Sequence, residues 1–180
     1  WLDRTCGKFA NTIYQQFPVA KYSSANGAYY RYMTIRSFAE PARYVAKKMS
    51  KVNPNIYLYQ FTRIPNTKIA KIIGAYHSIE LEYVFGVWGD VNYKIKDFAL
   101  SNAIMSYWTN FAKTGNPNNG STLPEWPQYK PESHLSIDFG NTITVKTNVD
   151  KEDCDAVVGV RVEQQKQLQN SIDAYKRLGK

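Results

Sequence analysis

The sequence predicts an α/β fold on three observations. Hydrophobic residues make up 43% of the chain and aromatic residues 14%, with fourteen Tyr and four Trp, so large rings are available for a dense core. Two stretches with helical spacing precede a run of β-branched and aromatic residues, an order typical of layered α/β proteins. No internal repeat, low-complexity tract or linker divides residues 1–180, so we expect a single domain.

The first two predicted helices lie between residues 28 and 51. The stretch 28–38 places one stripe at helical spacing, formed by Tyr30, Met33, Thr34 and Phe38. We expect Glu40 and Pro41 to interrupt this helix, because proline has no backbone N–H to donate. Pro41 suits the start of a second helix over residues 41–51, whose apolar face comprises Ala42, Val45, Ala46 and Met49.

The run from Ile56 to Arg63 predicts an interior strand. It reads IYLYQFTR and is bounded by turn residues on both sides, as expected for a strand covered on both faces. Residues 65–76 are then predicted to be mostly loop. This loop leads directly to His77, one of the two histidines in the chain.

The second half of the chain predicts two helices and a hairpin. The clearest helix runs from Asp97 to Gly115, where the glycine provides a stop; its stripe comprises Leu100, Ile104, Trp108 and Phe111. Apolar and polar residues alternate on either side of Gly140 and Asn141, which predicts a β-hairpin. The stretch 158–179 predicts a final amphipathic helix, with candidate inward positions Val162, Leu168, Ile172 and Tyr175.

The charge of the chain is positive but spread out. Twenty-three Lys and Arg stand against fifteen Asp and Glu, a net charge of +8, and the densest stretch, residues 42–53, holds Arg43, Lys47, Lys48 and Lys51. At helical spacing these residues are expected to form a solvated face, and no nucleic-acid-binding motif accompanies them, so no nucleic-acid partner is expected. No apolar run reaches the roughly 18 residues that span a bilayer.

Two cysteines, Cys6 and Cys154, lie far apart and match no metal spacing such as CxxC, so no metal site is expected. Three alternatives stay open: a long-range disulfide, a bridge to another chain, or two buried thiols. The chain begins with Trp1 rather than Met. We therefore expect that any targeting segment was removed or lies upstream.

His77 has two interpretations on its own residues. A single His between a Tyr and a Ser is either a hydrogen-bonded structural residue or a general base. Its place on a loop after a strand favours the base, since reactive groups of α/β sheets lie on loops beyond the carboxyl ends of strands. We therefore expect His77 on a loop at the floor of a cleft, whereas His134 is expected at the surface.

Several blocks of the chain are motifs that follow one another in a recognisable order. GAYHSIELEYVFG, from Gly74 to Gly86, is the one that contains His77. It resembles the histidine motif of the type-B carboxylesterases, the α/β-hydrolase family that includes the cholinesterases: Gly-x-x-His followed by an acidic residue and by Tyr/Phe-Val-Phe-Gly. SYWTNFAKTGNPN, PEWPQY and LSIDFG resemble the family's C-terminal block, and SFAEPARYVAKKM and NIYLYQFTR the preceding helix and strand. The resemblance implies the C-terminal portion of an α/β-hydrolase fold, with helices packed on a mostly parallel sheet plus a C-terminal hairpin and helix.

The resemblance implies ester hydrolysis by a Ser-His-acid triad in which His77 is the base. The nucleophile of this family lies in a G-x-S-x-G turn, and no such pentapeptide occurs in this chain. Ser121, in a Pro-rich loop, is expected to be a surface residue. Because the triad order is Ser, acid, His, the serine, the acid and the oxyanion segment are expected upstream of Trp1, on an N-terminal chain separated by cleavage or otherwise lost.

Two other site residues follow from the resemblance. Glu80 matches the acidic position after the histidine, where a carboxylate braces the loop or hydrogen-bonds near the catalytic serine; the alternative is a solvent-facing residue. Tyr76 is expected to line the cleft or to pack beside it, as is Tyr83. The acids that follow His77 cannot be the triad acid of the family: Glu80, Glu82, Asp90 and Asp97.

One position departs from the family. Secreted animal members have a Cys before the Pro of the motif that reads AEPAR here, and Glu40 stands in its place. The family disulfide therefore cannot be carried over to this chain, and Cys154 has no partner implied by the resemblance.

The function expected from the sequence is that of a serine carboxylesterase acting on small carboxylic esters, without cofactor or metal. The expected location is secreted or periplasmic. Two alternatives stay open: a catalytically inactive cholinesterase-like interaction protein, and a basic module that binds polyanions.

Overall fold

The computed structural model describes residues 2–120 and 122–178, and the chain forms two compact units. Unit 1 comprises Trp1–Val45 with Asp150–Lys180, and unit 2 comprises Ala46–Val149. The elements of the chain, in order, are α1 Leu2–Cys6, α2 Ala10–Gln16, α3 Ala25–Thr34, α4 Glu40–Met49, β1 Tyr59–Phe61, α5 Lys68–Ile73, α6 Glu80–Phe85, α7 Ile95–Thr114, β2 Ser136–Phe139, β3 Ile143–Lys146 and α8 Lys151–Leu178.

Unit 1 is helical. Short 3₁₀ turns, Gly7–Phe9 and Val19–Lys21, connect its first helices, and Ser24 caps α3 by accepting a hydrogen bond from the Gly27 N–H at 3.1 Å. The core of the unit joins α1 to α3 with the start of α8, through Cys6, Ile13, Phe17, Tyr32, Ile35, Cys154, Val157 and Val160. The rings of Phe17 and Tyr32 meet edge to face, with centroids 5.7 Å apart.

The predicted break at Glu40 and Pro41 is wrong. The chain stays helical from Ala25 to Met49, and a π-helical turn over Ile35–Ala39 lies just before the proline. A wide i to i+5 turn changes the hydrogen-bond pattern where the proline N–H is missing, so the chain accommodates Pro41 without ending the helix.

The predicted inward face of the last helix is also wrong. α8 begins earlier, at Lys151, and its buried residues lie in its first turns: Asp153, Cys154, Val157 and Val160. The four predicted positions are exposed instead: Val162, Leu168, Ile172 and Tyr175. The C-terminal stretch does form a helix with apolar residues at regular spacing. Among the described residues, however, the first turns of α8 reach the core of unit 1, and the later turns do not.

Unit 2 contains a three-stranded mixed sheet in the order β1-β2-β3. β1 pairs parallel with β2, placing Tyr59 opposite Ile137, and β2 pairs antiparallel with β3. The hairpin predicted around Gly140 and Asn141 is confirmed. The predicted long helix is confirmed as well, since α7 ends where Gly115 adopts the left-handed conformation, at φ 72°.

The predicted strand from Ile56 to Arg63 is shorter in the structure. Only Tyr59–Phe61 has ladder pairing, and β1 is an edge strand of the described sheet, with Tyr59 partly exposed. The flanking backbone is still bonded: the Ile137 N–H donates to the Leu58 carbonyl, and the Arg63 N–H donates to the Phe139 carbonyl, each at 3.0 Å. The strand predicted to be interior therefore lies at an edge of the described sheet, and Ile56, Leu58 and Phe61 are half-buried.

Aromatic residues make up most of the core of unit 2. Its buried residues are Tyr83, Tyr93, Leu100, Ile104, Tyr107, Trp126, Ile137 and Phe139. Trp126 contacts Tyr107 and Phe139 at centroid distances of 5.6 and 5.4 Å, and its Nε1–H donates to the Leu58 carbonyl at 3.0 Å. The many rings of the sequence thus pack the sheet against α7.

No helix in residues 2–120 or 122–178 combines the length and the apolar character that crossing a membrane requires.

Candidate active site

His77 lies in a turn after β1, between α5 and α6. α5 ends at Gly74, which has φ 76°, and residues 77–79 form the turn that leads into Glu80, the first residue of α6. His77 is outside any helix, as the sequence predicts. Its side chain is exposed in the described chain, so the cleft expected around it stays a prediction.

The connection before His77 is not mostly loop. Residues 68–73 form α5, capped by Thr67, whose hydroxyl accepts a hydrogen bond from the Ala70 N–H at 3.3 Å. Ala70 is the one buried residue of this short helix, so its apolar pattern is too brief to stand out in the sequence.

The residue after the histidine has an unusual backbone conformation. Ser78 has φ 71°, in the left-handed region that residues other than glycine rarely adopt. The next residue, Ile79, is buried, and its N–H donates to the Tyr76 carbonyl at 3.2 Å. A conformation of this kind costs about 1–3 kcal/mol and persists only where the surrounding structure holds it. The backbone that follows His77 is therefore held by a strained residue and a buried anchor.

Glu80 and Tyr76 lie on either side of this turn. Tyr59 has a raised pKa, first because the phenol is buried and second because the Glu80 carboxylate is close to it. The pKa of Tyr76 is raised by burial and then by the charges of Glu82 and Asp90. Both predicted residues are half-buried. Glu80 therefore lies toward β1, and Tyr76 lies near Glu82 on α6 and near Asp90 after it.

The acids after His77 have partners of their own. The Tyr93 hydroxyl donates to Glu82. Asp90 accepts a hydrogen bond from the Asn92 N–H at 2.8 Å, and this bond lowers the pKa of Asp90.

A buried cluster beside this segment was missed by the sequence analysis. The Asp97 carboxylate accepts hydrogen bonds from Arg63 Nε–H and from the Tyr83 hydroxyl, each at 2.7 Å, and from the Lys94 N–H at 2.8 Å. Burial alone would raise the pKa of Asp97, but these donors outweigh it and lower the pKa. The sequence signal for this cluster is Asp97 itself, an acid in the first turn of a predicted helix. Such an acid indicates a helix cap, but it does not reveal partners that are distant in the chain.

Three other predictions from the sequence concern His134, Ser121 and the basic stretch of residues 42–53. His134 is half-buried rather than at the surface, because its Nδ1 lies 2.6 Å from the Tyr129 hydroxyl. Ser121 falls outside the described residues. The basic stretch is solvated at Lys47, Lys48 and Lys51, but Arg43 is buried.

Cys6 and Cys154 are free and buried in this chain, which corresponds to the third alternative, two buried thiols. Cys6 Sγ lies 3.1 Å from the Tyr32 hydroxyl. Burial raises the pKa of Cys154 to about 11, although the nearby guanidinium of Arg43 opposes this effect. Among the described residues, no group of three or more His, Cys, Asp or Glu side chains is placed to hold a metal ion.

A family model described as "Carboxylesterase family" matches residues 4–157. The chain belongs to the carboxylesterase family. Within the family it is 39% identical over 100 residues to carboxylesterase 4A of Bos taurus, a match that covers 53% of this chain and 18% of that protein. It is 42% identical over 90 residues to the bile salt-activated lipase of Bos taurus, covering 46% of this chain and 15% of the lipase.

Solved esterase structures have the same fold. A PNB esterase superposes with a TM-score of 0.71 and 27% sequence identity over 87% of this chain and 31% of the esterase. Aspergillus niger EstA superposes with a TM-score of 0.72 at 24% identity, covering 86% of this chain and 33% of its own, which shows the fold alone. The chain thus has the fold of part of an α/β-hydrolase, and it spans less than a fifth of the length of these curated relatives.

Proposed function

We propose that this carboxylesterase segment supplies the general base, His77, of a serine esterase that hydrolyses carboxylic esters. The observation that carries the proposal is the conformation of the histidine turn. An accessible imidazole follows a parallel strand and lies between Gly74 and the strained Ser78, in a chain of the carboxylesterase family. An exposed ring can meet a serine and a substrate, whereas a buried structural histidine cannot.

In each half-reaction the imidazole of His77 accepts one proton and then passes it on. The neutral imidazole of His77 takes the proton of the serine Oγ as that oxygen attacks the ester carbonyl, and returns it to the departing alcohol. In the second half-reaction it takes a proton from water as the water oxygen attacks the carbonyl of the acyl-enzyme. It then returns this proton to the departing serine Oγ, which frees the carboxylic acid and restores the serine. Glu80, at the start of α6 beside this turn, is proposed to brace the histidine loop, and Tyr76 to line the approach to it.

The proposed partner is an N-terminal chain of the same esterase, which carries the nucleophile, the acid and the oxyanion hole. Exposed apolar side chains around the histidine segment support this partner, since large apolar patches on a protein surface are normally covered. They are Ile64, Ile69, Ile72, Ile73, Leu81, Phe85, Val87, Val91, Ile95 and Phe98. In the described sheet β1 is also an edge strand, whereas its sequence predicts an interior one.

The test uses the full-length esterase and p-nitrophenyl acetate or butyrate. We expect His77→Ala to lower kcat by at least about 10²- to 10⁴-fold, the range for general acid-base catalysis. His134→Asn is the matched control, since it alters the other histidine, and asparagine tolerates the left-handed backbone, φ 44°, at this position. Near-normal turnover of His77→Ala would exclude the proposal.

A serine-directed organophosphate separates this function from the first alternative. Stoichiometric labelling and loss of activity support a serine esterase. A protein that is neither labelled nor active would instead be an inactive cholinesterase-like interaction protein. Secretion or periplasmic export is part of the same proposal, and fractionation of cells expressing the full-length protein tests it.

A further inference from the structure

The buried Asp97 connects two elements that flank the histidine segment. Arg63 lies just after β1, Tyr83 lies on α6, and His77 lies between them in the chain. Arg63 Nε–H and the Tyr83 hydroxyl both donate to the same carboxylate oxygen, Oδ1 of Asp97, each at 2.7 Å. One oxygen on α7 therefore holds both ends of residues 64–82.

Each end of this segment is also bound to the body of unit 2. The Thr62 and Arg63 N–H groups donate to the Phe139 carbonyl on β2, each at 3.0 Å. The Ser101 hydroxyl on α7 donates to the Tyr83 carbonyl at 2.7 Å. The sheet and α7 thus provide fixed points, and the Asp97 carboxylate joins them.

The free-energy cost of burying the Asp97 carboxylate calls for an explanation. Asp97 is 0% exposed, and removing an ionised carboxylate from water is unfavourable unless charge-assisted hydrogen bonds compensate. Three donors meet it here, one of them the Arg63 guanidinium, whose side chain is 13% exposed. Capping α7 requires only Oδ2, which accepts from the Lys94 N–H. Oδ1 is therefore available for a second role.

We propose that Asp97, through Arg63 and Tyr83, is a positioning residue that holds the His77 turn in its strained, reactive conformation. The inference rests on the proposed function of His77 as the base. Ser78 stays at positive φ only while the ends of its segment are held, so loosening either end lets residues 74–79 relax. The imidazole then moves away from the serine, and catalysis weakens although the ester still binds.

The test compares two buried tyrosines in the full-length esterase. Tyr83→Phe removes the hydroxyl bonded to Asp97 and keeps the ring. Tyr107→Phe is the matched control: Tyr107 lies on α7 in the same core, is likewise 0% exposed, and its hydroxyl donates to the Pro124 carbonyl, outside the histidine segment. Asp97→Asn is the stronger variant. Turnover of p-nitrophenyl butyrate and hydrogen exchange of residues 74–82 are measured for each.

We expect Tyr83→Phe to lower kcat about 10-fold with KM within about twofold, since displacing a catalytic group by about 1 Å costs up to about 100-fold. Exchange in residues 74–82 should quicken. Tyr107→Phe should lower the melting temperature by a similar amount but leave kcat and this exchange nearly unchanged. Asp97→Asn should act in the same direction as Tyr83→Phe and more strongly.

Two results would overturn the inference. One is equal effects of Tyr83→Phe and Tyr107→Phe on kcat; the other is unchanged exchange of residues 74–82 in Tyr83→Phe. If His77→Ala keeps its activity, the proposed function fails by itself. The exchange measurement then still decides whether the Asp97 cluster holds the segment.

Discussion

Replacing Arg161 with methionine removes one side of a buried ion pair in unit 1. Arg161 Nε–H donates to both carboxylate oxygens of Glu40, at 2.8 and 2.9 Å, and its guanidinium lies over the Tyr44 ring, 4.0 Å from the centroid. Glu40 is 4% exposed, so the substitution leaves a carboxylate far from water. Methionine fills much of the volume of the arginine stem, so the change removes the guanidinium with its bonds to Glu40 and Gln165 and leaves little cavity.

The expected cost follows from the burial of each partner. Removing one partner of a fully buried pair costs about 3–5 kcal/mol. The Arg161 side chain is 20% exposed, so water partly screens the pair, and we expect about 2–3 kcal/mol for Arg161→Met. Glu40→Gln should cost less, about 1–2 kcal/mol, because the remaining guanidinium can turn to solvent and keep its contact with Tyr44. The main prediction is that Arg161→Met lowers stability more than Glu40→Gln does.

Native-state hydrogen exchange of the first turns of α8 in the full-length protein measures the local free energy of opening. We expect the double variant, Glu40→Gln with Arg161→Met, to cost less than the sum of the two single changes by about 1–2 kcal/mol. The control is Lys151→Met, which breaks the exposed pair with Asp155 on the same helix and should change little. Additive single effects, or a larger loss from Glu40→Gln than from Arg161→Met, would refute this reasoning.

Three further outcomes are expected. Because the pKa of Asp97 is lowered in the folded protein, its ionised carboxylate stabilises the fold above about pH 4, the ordinary range of a carboxyl, and this stability is lost as pH falls through the lower folded pKa. The urea midpoint should therefore fall less between pH 7 and pH 3 in Asp97→Asn than in the unchanged protein. An equal fall in both proteins would contradict this prediction. With its pKa raised to about 11 and its side chain buried, Cys154 should resist alkylation at pH 8 until the protein is denatured, as mass spectrometry would show. In Gly159→Ala the new Cβ would lie 2.5 Å from a ring carbon of Phe9, so α8 should lose stability in thermal melts despite the better helix propensity of alanine, and a stabilised variant would disprove the clash.

Elements whose signals lie within a few neighbouring residues can be predicted from the sequence, whereas elements that depend on distant residues cannot. α7 was predicted well, because its stripe repeats over several turns and Gly115 marks its end. The hairpin was predicted because its turn and its alternation are adjacent in the chain. α5 was missed, since six residues are too few for a helical period to be distinguished from a loop. The break at Pro41 was predicted wrongly, because a π-helical turn is a backbone adjustment that residue patterns do not reveal.

By itself the sequence determined the family resemblance, the turn that carries His77 and the elements whose signals lie within a few residues. The tertiary structure alone decided which charges meet. Glu40 and Arg161 are 121 residues apart, and Arg63 and Asp97 are 34 apart, so no local pattern connects them. Burial of each pair excludes water and makes the partner necessary, and burial is a property of the packed chain.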